Sequence, residues 1–164
     1  PADQLAEVIE RTVRDRGVLL IPSFAVGRTQ GLLYQLWQLR KAGRLPAIPV
    51  YVDSPMASSV TRLYADHPTD HALGSELGEE VFRMANYVKT PEESKELSRR
   101  DGPMIIISAS GMCDAGRIRH HLRYNLPRPG SAIAIQDFSD KEVKSLLRLL
   151  KAMDANLQGA AEDD

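Results

Sequence analysis

Three isoleucines in succession, inside "MIIIS" (104–108), restrict the possible folds more than any other stretch of this chain. Side chains alternate between the two faces of a strand, so a strand that is apolar throughout must be covered on both faces. Such a strand belongs in a parallel sheet flanked by helices. The same character recurs in "VLLIP" (18–22), "IPVYV" (48–52) and "SAIAI" (131–135), with a shorter candidate at "YVKT" (87–90).

Helical patterns fill the intervals. Leu5, Val8, Ile9 and Val13 predict a helix over 3–16, stopped by Gly17. A second covers 28–43, with Leu32, Leu33, Leu36, Trp37 and Leu39 as a broad apolar face and Gly43 just past its end. Ser54 as N-cap and Pro55 at the first helical position open a third over 53–67. A short helix near 76–85 is expected in a surface excursion. A polar helix over 91–102 starts at Thr90-Pro91, and another runs from about 115 to 125, with Asp114 as candidate cap. Ser139-Asp140-Lys141-Glu142 reads as a capping box opening an amphipathic helix over 140–153. The expected fold is therefore α/β: a Rossmann-like, three-layer, doubly wound, mostly parallel sheet with helices on both faces. The 164 residues suffice for one domain, expected over 1–155 with a disordered tail over 156–164.

Composition narrows the function classes. A net charge of −1 gives no bulk attraction to nucleic acid, so any anion site must be local. No stretch reads as a signal peptide or approaches the length of a membrane span, and a lone cysteine, Cys113, fits a reducing compartment. A cytoplasmic location is expected. The chain begins at Pro1 rather than methionine, as a processed piece would. There is no G-x-G-x-x-G and no P-loop. His67 and His71 are four apart, but Pro68 between them argues for a surface loop rather than a metal pair. Cys113 has cationic neighbours yet is expected simply to pack.

In open α/β sheets ligands bind at the carboxyl ends of the strands, which directs attention to three loops. In "PSFAVGR" (22–28), Arg28 starts a helix, where a cation has the wrong sign for the helix dipole. A bound anion would repair that mismatch; a carboxylate on a neighbouring loop, such as Asp53, would do so as well. In "VDSPMA" (52–57), Asp53 could pair with a loop arginine or orient a ligand. The third loop, "SASGMCDAGR" (108–117), allows close backbone approach at Ser108, Ala109, Ser110 and Gly111 before Arg117. Arg117, His120, His121 and Tyr124 share one side of the following helix, beside an Ile118, Leu122 and Leu126 stripe. Arg119 and Arg123 fall elsewhere and are expected in solvent. For His120 or His121 alone, a packed or surface histidine is the ordinary reading.

Taken together, "LLIPSFAVGRTQGLLYQL", "PVYVDSPMASSVTRLY" and "MIIISASGMCDAGRIRHHL" resemble, in order and interval, the β-CASP domain of the RNA-processing branch of the metallo-β-lactamase superfamily. The resemblance covers about residues 3–135. It implies a domain that forms, with a metallo-β-lactamase-fold domain, a cleft for single-stranded RNA. In that family two zinc ions held by the other domain activate the attacking water. It implies Ser23, Arg28, Ser108, Ser110, Gly111 and Arg117 as RNA phosphate-binding residues, with His120 and His121 as weaker additions. Two departures stand out. The chain has no H-x-H-x-D-H zinc motif, and "QDFSDKEVKSLLRLLKAMDANLQ" replaces the glycine-rich turn and histidine stretch that return to the zinc site. No cofactor, no metal ligand and no hydrolysis are expected of this chain by itself. The chain reads as an isolated domain, a fragment or a rebuilt version. Its expected partners are single-stranded RNA and a metallo-β-lactamase-fold domain, in cis or in trans. A non-catalytic scaffold serving an active nuclease subunit is the alternative, with the 140–153 helix as docking face for a partner or a second copy. A binder of a small phosphate ligand such as a nucleotide ranks last.

Overall fold

The computed structural model describes residues 2–111, 113 and 115–134. In chain order they form α1 (Ala2–Arg14), β1 (Val18–Pro22), α2 (Arg28–Lys41), β2 (Val50–Asp53) and α3 (Pro55–Asp66). A single 3-10 turn (Pro68–Asp70) leads to α4 (Gly74–Arg83), β3 (Asn86–Tyr87), α5 (Pro91–Arg99), β4 (Met104–Ser108), α6 (Arg117–Asn125) and β5 (Ala132–Ile133). The candidate helix over 140–153 and its capping box lie outside the described residues, as does Asp114.

The five strands form one sheet in the order β3-β2-β4-β1-β5, and every pairing is parallel. The isoleucine-rich β4 is central, as its two-sided apolarity requires. Its residues divide between two cores. Ile105 and Ile107 pack with Leu19, Ile21, Val50 and Val52 beneath α1, α2, α3 and α4. Met104 and Ile106 pack with Val18 and Leu20 against Leu97 of α5 and Ile118 and Leu122 of α6. Helices thus cover both faces of a Rossmann-like sheet.

The segment expected as a surface excursion is part of the core. Gly78, Val81 and Phe82 of α4 are buried, and the latter two join the first cluster. Helical spacing of a few apolar residues among acidic ones signals the helix but not what it covers. At the amino end of the sheet the backbone closes tightly: a Cβ on Gly17 would sit 1.9 Å from the Gly130 carbonyl oxygen, so only glycine fits. Among the described residues no helix is long and apolar enough to cross a membrane.

Candidate phosphate-binding edge

Strand order determines which loops meet. β4 lies between β2 and β1, with Ser108 in register with Asp53 on one side and Pro22 on the other. The ends of β1, β2 and β4 therefore converge at the carboxyl edge. Backbone and side chain bind them together: the Ser23 N–H donates to the Ser108 carbonyl at 3.0 Å, and the Ser108 hydroxyl donates to the Asp53 carbonyl at 2.7 Å.

Asp53 is the hub. Its side chain is fully buried. Arg117 Nη1 donates to Oδ1 at 2.6 Å, and His121 Nε2 donates to Oδ2 at 2.5 Å. The Ser94 hydroxyl of α5 donates to Oδ2 as well. Burial alone would raise the Asp53 pKa, but the bonds from His121, Ser94 and Arg117 outweigh it and hold the carboxyl below the usual range. His121 is itself buried, and its Nδ1 lies 2.9 Å from the Ser98 hydroxyl, which also donates to the Ser94 carbonyl at 3.1 Å. Of the two readings of Asp53, the structure gives the pairing with a loop arginine. That arginine is Arg117; the ion pairs of Asp53 go to Arg117 and His121, not to Arg28.

Ser94 and Ser98 are the members of this network that the sequence reading missed. Both are buried on α5, four residues apart on the face that meets α6. Their signal was two small polar residues at one-turn spacing around Leu97 in an otherwise charged helix.

The predicted site residues divide into two groups. Ser23, Ser108 and His121 are buried and engaged within the scaffold; Ser23 accepts from the Thr29 hydroxyl at 3.2 Å. Arg28 is exposed, with its guanidinium 5.4 Å from the Phe24 ring centroid. Arg117 keeps about a fifth of its side chain exposed, 20%. Ser110 is half-buried; Gly111 is buried against Phe24, where a Cβ would meet the ring at 3.0 Å. The Phe24–Gly111 contact brings the first and third loops together. His120 is half-buried against Tyr124, centroids 4.8 Å apart. Burial lowers its pKa, helped by the positive charge of His121, Lys95, Arg99 and Arg123. Arg119 and Arg123 are exposed, and Cys113 is buried in the second core.

Helix starts differ around this edge. The N-cap of α3 is Ser54, whose hydroxyl accepts from the Ala57 N–H at 3.2 Å. α5 opens with a full capping box, Thr90 with Glu93. α2 and α6 begin on Arg28 and Arg117, behind Gly27 and Gly116, with no side-chain cap and no acidic residue in the first turn. The N-cap of α6 is Gly116 rather than the expected Asp114. Its φ of 80°, and the 2.7 Å that would separate a Cβ from the Ala109 carbonyl oxygen, explain the glycine.

Metal chemistry finds no donor set here. Among the described residues no group of three or more His, Cys, Asp or Glu could hold an ion. The nearest pair, Asp53 and His121, uses its donor atoms on each other, on Arg117 and on serines. The described residues therefore do not fit a zinc pair.

An all-parallel sheet with three polar loops joined at its carboxyl edge defines a Rossmann-like domain, the class in which ligands bind at that edge. A Beta-Casp domain model matches residues 29–142, and the chain belongs to that family. Ribonuclease TTHA0252 of Thermus thermophilus is 40% identical over 139 residues, covering 79% of this chain and 31% of that protein. Transcription termination factor FttA of Methanosarcina mazei is 27% identical, covering 73% of this chain and 20% of that protein. The RNase J-like protein of Methanocaldococcus jannaschii is 29% identical, covering 73% and 28%. The chain thus spans less than a third of the length of these curated relatives.

Proposed function

We propose that this domain is the RNA-gripping part of a zinc-dependent ribonuclease of the metallo-β-lactamase fold. Its carboxyl edge holds phosphates of single-stranded RNA. The observation that carries the reading is the pair of uncapped, arginine-led helices on the adjacent strands β1 and β4. A helix start led by a cation is complementary to a phosphate, through the guanidinium and the positive end of the helix dipole. Arg28 and Arg117 supply the charge, the half-buried loop at Ser110 admits the RNA backbone, and Gly111 lets Phe24 pack against that loop. Ser23, Ser108 and His121 hold the loops in place, and Asp53 orients Arg117. Ribonuclease TTHA0252, by its name a ribonuclease, supports the assignment.

Zinc and the attacking water belong, in this reading, to a metallo-β-lactamase-fold domain in cis or in trans. Phe24, Val26 and Met56 at the same edge are 41%, 61% and 65% exposed, an apolar fringe for such a domain to cover. The proposed whole acts on RNA in the cytoplasm. Fluorescence anisotropy with a labelled single-stranded RNA tests the reading on the full chain. It predicts binding at low salt that weakens steeply as salt rises. With zinc added, the chain alone should leave the RNA intact. No binding at low salt, or zinc-dependent cleavage by the chain alone, would contradict the assignment.

A further inference from the structure

A cavity of about 650 Å³ opens beside the phosphate-binding edge, between α3, α4 and the β3 segment. Its size is that of a small-molecule site and far exceeds a bare phosphate. Phe82, Ala85 and Val88 give it an apolar floor. Arg62 of α3 and Lys89, in the loop after β3, line it from two sides, and neither has an ion pair among the described residues. The third cation, Arg83, is neutralised by its ion pair with Glu79. One further feature is unexplained by packing. The buried Ser58 hydroxyl has no hydrogen-bond partner among the described residues, not even the carbonyl four residues earlier that helical serines commonly use.

We infer that this cavity is a nucleotide subsite: a base lies on the apolar floor, the phosphate meets Arg62 and Lys89, and Ser58 hydrogen-bonds a polar group. The floor rejects a purely ionic ligand, and two uncommitted cations reject a neutral one. Choosing a nucleotide over other amphiphilic anions rests on the RNA reading, because α3 leaves the same sheet edge immediately after Asp53. The nucleotide could be free or part of an RNA chain.

The test is a nitrogen–proton correlation NMR titration of the full chain with AMP, adenosine, inorganic phosphate and hexa-adenylate RNA. AMP should give saturable shifts at Ala85 and Val88 and outbind adenosine and phosphate. The double variant Arg62→Glu, Lys89→Glu should weaken AMP by roughly tenfold or more, with an unchanged melting temperature. Displacement of AMP by hexa-adenylate assigns the site to the RNA path; AMP that stays bound assigns it to the free nucleotide. The inference is overturned if AMP causes no saturable shift there, if phosphate alone reproduces the effect, or if the double variant binds AMP as tightly. RNA binding that still depends on Arg28 in that case leaves the phosphate-edge reading standing.

Discussion

Helices α3 and α5 begin like helices that need nothing beyond the chain. Ser54 caps one, and Thr90 and Glu93 close a box on the other. Helices α2 and α6, leaving the same edge of the same sheet, have neither cap nor acidic residue and start on arginine. The contrast separates starts closed by a polar side-chain cap from starts that lead with a cation behind a glycine. At α6 the chain answers part of the need itself, by turning Asp53 onto Arg117. At α2, Arg28 is exposed, with its guanidinium over the Phe24 ring. The difference teaches that Arg117 is held by a buried carboxylate, whereas Arg28 lies exposed over an aromatic ring.

The largest expected effect falls on the internal anion. Asp53→Asn removes the charge that faces Arg117 and His121 in a buried site, and should cost ~3–5 kcal/mol in urea unfolding. A loss under about 1 kcal/mol would mean that the network is not tightly coupled. The pH dependence has a definite sign. Because the folded carboxyl lies below its ordinary 3.8, its contribution is complete above that value and is lost as pH falls further, through the folded pKa. Acid unfolding of the native chain should show this loss, and that of Asp53→Asn should not.

The capped helices give the next effect. Ser54→Ala and Thr90→Ala should each cost about 1 kcal/mol, read by thermal or urea melts, while leaving RNA binding untouched. A change in RNA affinity from either variant would blur the distinction between the two kinds of start. The smallest effect is electrostatic. The His120 pKa is lowered, so its contribution to stability is complete above the ordinary 6.5 and is lost as pH falls through the folded value. His120→Gln should flatten the stability profile across that interval, measured by melting temperature against pH.

How much of this was written in the sequence follows from which forces are local. "VLLIP" and "MIIIS" gave β1 and β4 to the residue, because a two-sided apolar run has only one place to go. Ser54-Pro55 gave the start of α3 for an equally local reason. One edge strand came out shorter than expected: 87–90 became Asn86–Tyr87; the strand expected over 131–135 is described at Ala132–Ile133, and residue 135 lies outside the described residues. Apolar residues there satisfy one neighbour rather than two, so composition overstates pairing. Strand order is non-local, and with it the partner of Asp53. The sequence named Arg28 as a partner for Asp53 and otherwise only an unspecified loop arginine, while Arg117 was read toward an anion. Only the placement of β4 beside β2 decides between them. Ser94 and Ser98 were hidden for the same reason, since their role depends on which helix α5 packs against.

The central claim is that α2 presents an outward cation for RNA while α5 starts complete. Salt-dependent RNA binding and thermal melting of Arg28→Glu and Thr90→Ala, measured side by side, test it most directly. The account predicts that Arg28→Glu weakens single-stranded RNA roughly tenfold and flattens the log–log salt slope by about 0.7, one lost phosphate contact. Its stability should fall by no more than about 0.5 kcal/mol, the scale of an exposed substitution that gives up a ring contact. Thr90→Ala should do the reverse, lowering the melting temperature with RNA affinity intact. Wild-type RNA affinity and salt slope in Arg28→Glu would contradict the account.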